Sequence, residues 1–405
     1  MSGANGSPEA GFAGFAGFAG FAGFAGFAGF AGFAPSAGFA GFGANAGTTA
    51  ESLITTREGI VGAPLPPTHK LNSGVPNDPR NLKRLSRDVQ AAVFFSDLAS
   101  RIGFGFEGGK TPTSSVYWLE TEKGKKGAPP STAYRPLIEM SAPTMEQFQQ
   151  QYAFLSSYAD LRQDRGAEIL TQLGAPVAFL SAITFMDLAR SPYTLALLAQ
   201  GQALAQFVEM QVKYALACRR PIEFSPQVQP MIPTPTHGTL PSGHATEAFV
   251  MARLLWMLLR DSGAAQYKGQ KGAEWGTMLM RLAARVATNR TVAGVHFPVD
   301  SVAGAILGLT LADFVYNRST DKAKAKQTSA TFVGSNFGPC EDFDWQVLYD
   351  VADNCQADER NVPGKAPWTT STSTTIPKGD LGSPSLQWLW DRAVDEWRDV
   401  EEIDG

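Results

Sequence analysis

A chain of 405 residues, 44% of them hydrophobic, has material for one large core or two ordinary ones. Its formal net charge of -4, with no long basic run, excludes the electrostatic footprint of a nucleic-acid binder. Cys218, Cys340 and Cys355 show no CxxC spacing, which argues against a zinc site and calls for no oxidising compartment.

The first residues lack the cationic start, apolar core and cleavage signal of a secretory peptide, so a soluble protein is expected, cytoplasmic or exported without a recognisable signal. Residues 11–34 are eight copies of Gly-Phe-Ala, with weaker copies to Gly43. Glycine at every third position costs about 1 kcal/mol per residue in a helix relative to alanine. The period of three also spreads phenylalanine around a helix instead of along one stripe. Residues 1–50 therefore read as a low-complexity tail, disordered or self-associating, in preference to a membrane anchor.

Residues 51–84, rich in Pro, Asn and Gly, read as an extended arm, and His69 as a loop residue. Ser86 to Arg101 has helical apolar spacing, and 104–143 reads as a Gly/Pro-rich wrapping connection. The lysines of Lys123 to Lys126 fall in it and read as a solvated loop. Thr144 with Gln147 forms a capping-box pattern. Gly166 and Gly174 punctuate the next segments. Ser191-Pro192 opens a long helix, serine as cap and proline in the first turn, which runs to about Cys218, a buried thiol. Further helices are expected near 243–260, 272–290 and Pro298 to Tyr316. The apolar stretch Val302 to Val315 is interrupted by Asp313 and reads as a core helix, so a membrane is disfavoured. Strand-like alternation is scarce, and the expectation is an all-α bundle. Residues 85–325 form its helical catalytic domain, and the polar, Trp-spotted residues 326–405 form a covering segment, where a Cys340–Cys355 pairing stays open.

Chemistry concentrates in one stretch. Of four histidines, His237, His244 and His296 fall there, beside prominent basic residues. Lys213 and Arg220, seven apart, are expected to project from one side of the long helix until Pro221 stops it. Pro241-Ser242-Gly243-His244 opens a helix whose free N–H groups and dipole favour an oxyanion. Arg290, His296 and Asp300 follow, and Asp300 stands four residues beyond His296, spaced to hold one ring nitrogen and free the other. Three cations, a helix start, a hydroxyl and two imidazoles suit a tetrahedral or trigonal-bipyramidal oxyanion.

Lys213-x6-Arg220-Pro221, Pro241-Ser242-Gly243-His244 and Arg290-x5-His296-x3-Asp300 resemble the three signatures of the superfamily shared by PAP2-type phosphatases and vanadium haloperoxidases. The resemblance covers residues 213–300 and departs at Asn289, where the family often has serine. It implies a helical bundle of that type. In a haloperoxidase, it implies vanadate ligated by His296, with Lys213, Arg220, Ser242, Gly243 and Arg290 on the oxygens. His244 would be the acid–base, and Lys213 would polarise hydrogen peroxide for attack by a halide, with a small organic acceptor downstream. In a phosphatase, it implies that His296 is the nucleophile, oriented by Asp300, with His244 protonating the leaving oxygen. His237 matches an additional histidine of bromoperoxidase-like members and tilts the reading to a haloperoxidase; so do the apparent solubility and the long helical region before the first motif. Compact spacing from Arg220 to His244 is phosphatase-like, and Met210 stands where some haloperoxidases carry tryptophan, which points to bromide or iodide over chloride. The resemblance also allows a homo-oligomer.

Overall fold

A computed structural model describes residues 46–63, 74–122, 131–320, 322, 325–351, 355–356, 367–376 and 381–398. The Gly-Phe-Ala repeats, His69 and the Lys123 to Lys126 cluster lie outside them. The chain falls into two compact units, Met1–Gln90 with Leu173–Ala175, and Ala91–Gln172 with Pro176–Gly405. In the first unit, helix α1 spans Ala46–Ile60, so residues 51–60 of the arm read from sequence as extended are helical. Asp78 caps a short 3-10 turn at Pro79–Arg84 by accepting from the Arg80 N–H at 2.8 Å.

Helix α2 (Arg87–Ala99) leads into the second unit. Strands β1 (Ile102–Glu107), β2 (Thr113–Glu122) and β3 (Ser131–Ser141) follow. Then come α3 (Met145–Gln150), α4 (Tyr152–Ala159), α5 (Arg162–Thr171) and α6 (Val177–Thr184). The site-bearing helices are α7 (Pro192–Leu216), the single turn α8 (Pro221–Phe224), α9 (Gly243–Ser262), α10 (Gly269–Val292) and α11 (Pro298–Thr320). Strand β4 (Ala325–Val333), the short pair β5 (Tyr349–Asp350) and β6 (Cys355–Gln356), strand β7 (Thr369–Ile376) and helix α12 (Pro384–Asp395) complete the described chain.

The all-α expectation is therefore corrected: the protein is α/β, with a five-stranded mixed sheet ordered β1-β2-β3-β4-β7. Residues 104–143, read as a wrapping loop, hold most of its first three strands. Ser114, Val116 and Trp118 are buried at every second position, the period of a half-buried strand. Glycines and prolines around that short alternation concealed it. Pro136 is tolerated because β2 and β3 slip register there, pairing Val116 with Ile138 and Tyr117 with Pro136. The parallel pairing of β3 with β4 joins Ile138 to Ala330, a partnership no local pattern announces. The sheet packs on α7 and α11.

Helix α9 is the centre of the bundle, against α7, α10 and α11. Its Leu254, Leu255 and Leu258 are fully buried, each worth about 2 kcal/mol of apolar burial. Gly304 and Gly308 bring α11 onto α9: a Cβ at either would press on a backbone oxygen, Ser242 O at 2.5 Å or Thr246 O at 2.4 Å. That contact places the start of α9 beside the start of α11. Helix α11 is long and apolar enough to cross a membrane, but 94% of that stretch is buried among its neighbours.

The Thr144–Gln147 capping box forms as read. Ser191, by contrast, caps nothing with its side chain. Glu396, beyond α12, takes that task by accepting from Tyr193 N, Thr194 N and Thr194 Oγ1 at 2.7–2.8 Å. Cys218 is buried and Cys340 is exposed, both as free thiols.

Candidate functional site

The site is built where α7 ends and α9 and α11 begin. Helix α7 stops at Leu216 because Ala217 takes a left-handed conformation with φ 48. Lys213 lies in its last turn, but Arg220 does not extend its face: it precedes α8, and Pro221 starts that turn instead of ending a helix. The change of direction lets Arg220 reach across to the loop before α11. Arg220 donates from NH1 to Val295 O at 2.9 Å and from Nε to His237 O at 3.0 Å.

Guanidinium has only donors, so His296, whose other nitrogen faces a carboxylate, accepts from it, while His237 Nδ1 lies between Arg220 and the Gly238 carbonyl 3.2 Å away. His296 Nε2 stands 3.1 Å from Arg220 NH1, and His237 Nδ1 stands 3.0 Å from NH2. The His296 proton therefore sits on Nδ1, which donates to Asp300 Oδ2 at 3.1 Å. The same oxygen accepts from Thr239 Oγ1 at 2.5 Å and Phe297 N at 2.8 Å. One tautomer is imposed, with the Nε2 lone pair facing the cations. Behind this pair, Phe148, Phe224 and Phe297 form a cluster with ring centroids 5.1–5.9 Å apart.

Lys213 Nζ is turned inward, donating to the carbonyls of Pro241, Gly238 (3.4 Å) and Thr239 (3.5 Å). Ser242 stands at the N-cap of α9, yet its Oγ makes no capping bond and is buried without a partner. Its N–H donates to Asp300 O at 2.8 Å, tying the two helix starts together. His244, half-buried in the first turn of α9, lies close enough to His296 to bear on its charge.

Arg290 is fully buried in the last turn of α10. Its NH2 donates to Ile169 O at 3.3 Å and Gln172 Oε1 at 3.2 Å, whereas Nε and NH1 have no partner. No direct bond joins it to the other cations. Backbone joins them instead: Val295 N donates to Arg290 O, and Val295 O accepts from Arg220. Asn289 supports it, donating to Glu168 Oε1 at 3.0 Å and to Gln172 Oε1 at 2.9 Å.

Burial governs the electrostatics. It lowers Lys213 to about 8, and Arg220 and Arg290 each to about 10. It pushes Asp300 up to about 6 and His237 down to about 4, and takes His296 well below its ordinary value. Carboxylates stand around the three cations: Asp300 bears on Lys213 and Arg220 but is engaged with His296 and Thr239, Glu223 bears on Arg220, and Glu168 bears on Arg290. The cationic side chains themselves are held by carbonyl and amide oxygens and not by a paired carboxylate, an arrangement that favours a ligand bringing negative charge. Unpartnered Ser242 Oγ, Arg290 Nε and Arg290 NH1 are the donors such a ligand would satisfy. Among the described residues no group of three or more His, Cys, Asp or Glu is arranged to hold a metal cation.

Three supporting residues escaped the sequence reading. Thr239 and Gln172 are polar residues of ordinary type at uninformative spacings. Glu209 does carry a signal, since it falls one helical turn before Lys213 on the same inward face. No curated protein matches the chain. Residues 194–324, from the first turn of α7 past the end of α11, match the PAP2 superfamily.

Proposed function

We propose that this domain is a vanadate-dependent haloperoxidase oxidising bromide or iodide with hydrogen peroxide. The observation that carries the reading is the His296 Nε2 lone pair, fixed by Asp300 and directed at the buried Arg220 guanidinium. A proton-free nitrogen facing oxyanion donors suits a ligand that is an electrophile at its centre and an anion at its rim.

The residues fit vanadate. His296 Nε2 would ligate the central atom, and Ser242 Oγ, the Gly243 N–H, Lys213, Arg220 and Arg290 would hold the oxygens, satisfying the unpartnered donors. Vanadate supplies a Lewis acid that keeps one oxidation state and activates peroxide. The chain's residues do the rest. Asp300 holds the Nδ1 proton of His296. Lys213 polarises the bound oxygens, and His244 takes up and returns the proton that peroxide releases. The halide loses two electrons to peroxide and one proton is consumed, giving hypohalous acid and water. A small organic acceptor is then halogenated.

His237 favours this reading over a phosphatase. Hydrolysis through a phosphohistidine needs one nucleophile and one acid–base group, tasks His296 and His244 fill. His237 is then surplus. Its Nδ1 lies 3.0 Å from Arg220 NH2, so the ring stands beside a cation that this reading assigns to the oxyanion.

A paired assay tests the proposal on protein incubated with orthovanadate. One arm measures bromination of a dimedone-type acceptor with peroxide and bromide. The other measures aryl phosphate hydrolysis by vanadate-free protein. Bromination that disappears in His296→Ala is the expected result. Fast, vanadate-inhibited hydrolysis without halogenation by bromide or iodide assigns the domain to the phosphatases instead.

A further inference from the structure

Helix α7 turns a buried polar face toward α9. Gln202, Gln206, Glu209 and Lys213 recur at helical spacing and are each at most 4% exposed. Burying such groups among aliphatic neighbours costs free energy unless they are paired. Gln202 is paired, donating to Glu247 Oε2 at 2.6 Å. Lys213 is held by loop carbonyls. Glu209 is different: its Oε2 has no partner. Its Oε1 presses on the start of α9, 2.4 Å from where a Cβ of residue 243 would stand, so only glycine leaves room for it. A carboxyl group thus occupies the helix start that the anion reading assigns to Ser242 and Gly243.

Three charged groups bear on Glu209: Lys213 from its own helix, Arg220 from the loop after α7, and Glu247 from α9. The two cations favour the carboxylate, whereas Glu247 and burial favour the acid. Burial dominates and raises Glu209 to about 8, so it is mostly a neutral acid at pH 7. Neutrality is what an anion site requires there. An ionised Glu209 would compensate Lys213 and repel the ligand.

We propose that Glu209 is the proton store of the anion site, a carboxylic acid packed against Gly243 that passes its proton to an oxygen of the bound oxyanion. This rests on the oxyanion reading above, whichever of the two activities it serves. In the step, the O–H bond of Glu209 breaks and an O–H bond forms on the anion. The carboxylate left behind regains its proton from solvent. Haloperoxidation and phosphoester cleavage both consume a proton at this point, the first to form water and the second to release an alcohol.

The test uses the full chain with Glu209→Gln, which keeps shape and neutrality, and Glu209→Asp, which keeps the acid. Infrared difference spectra without any anion read the C=O stretch of a protonated carboxylic acid, identified by its shift in D2O. The wild type shows the band, loses it on adding orthovanadate, and Glu209→Gln lacks it. Orthovanadate affinity stays nearly unchanged in Glu209→Gln, whereas turnover falls about a hundredfold and Glu209→Asp restores part of it. A wild type without the band, or Glu209→Gln with full turnover, overturns the proposal. Equal losses in the Gln and Asp variants mean packing and overturn it too. A wild type with neither activity sinks the enzymatic reading, and the band and its loss on orthovanadate addition still decide the role of Glu209.

Discussion

Replacing Asp300 with asparagine separates function from stability. Asp300 is wholly buried, and its Oδ2 accepts from His296 Nδ1, Thr239 Oγ1 and Phe297 N, while Oδ1 has no partner. Its carboxyl is raised from 3.8 to about 6 by burial. A raised acid is most favourable to folding below 3.8 and becomes unfavourable as pH rises through about 6. At about 1.36 kcal/mol for each pH unit, the ionised carboxylate costs the fold about 3 kcal/mol at neutral pH. Asparagine removes that cost. It also weakens the charge-assisted bonds at Oδ2 and leaves an amide N–H short of an acceptor, together about 2–3 kcal/mol. The two nearly cancel, so the thermal midpoint is expected to stay within about 5 °C of the wild type. Activity behaves otherwise. The neutral amide oxygen that takes the Oδ2 place, where Phe297 N also donates, holds the His296 Nδ1 proton far more weakly than a carboxylate and no longer offsets positive charge building on the ring, so Nε2 becomes a poorer ligand or nucleophile. Turnover in the paired assay is expected to fall by about two to four orders of magnitude, as happens when other tautomer-fixing carboxylates are replaced. Asp300→Asn that melts far below the wild type, or retains most of its turnover, refutes the reasoning.

Ser242→Ala removes a buried hydroxyl that bonds nothing in the fold, so it should leave urea stability unchanged or slightly raised and weaken orthovanadate binding about tenfold. Gly304→Ala drives a Cβ to 2.5 Å from Ser242 O and should cost about 1–3 kcal/mol in chemical denaturation while weakening anion binding. Glu396→Ala deletes the cap of α7 and should cost about 1–2 kcal/mol without changing affinity at neutral pH. Phosphate affinity, measured by calorimetry, should fall as pH rises through about 8, where Lys213 loses its charge; an affinity flat to about pH 10 would exclude Lys213 as a ligand cation.

The helices at α7, α9, α10 and α11 were legible because their apolar spacing is long and their boundaries carry Ser, Gly or Pro. The sheet was not. Its first three strands alternate only briefly between glycines, and its partners in β4 and β7 come from residues far along the chain. Pairing across such separations is decided by which faces meet in the folded protein, and propensity within a window does not encode it. The cap of α7 shows the same limit, since Glu396 reaches Thr194 across 202 residues of sequence.

For the site, residue types at fixed spacing were enough to single out Lys213, Arg220, Ser242, His244, Arg290, His296 and Asp300, because a helix start and an i, i+4 pair are local geometry. Sequence alone pointed to an oxyanion as the ligand to propose. Tertiary structure decided how they meet. It took Arg220 off the α7 face and turned it onto both His237 and His296, and with Asp300 it fixed the His296 tautomer. It left Ser242 Oγ and two nitrogens of Arg290 without partners, and set Glu209 against Gly243. Burial and unpaired donors are properties of the packed chain, since water satisfies every one of these groups until the helices close around them.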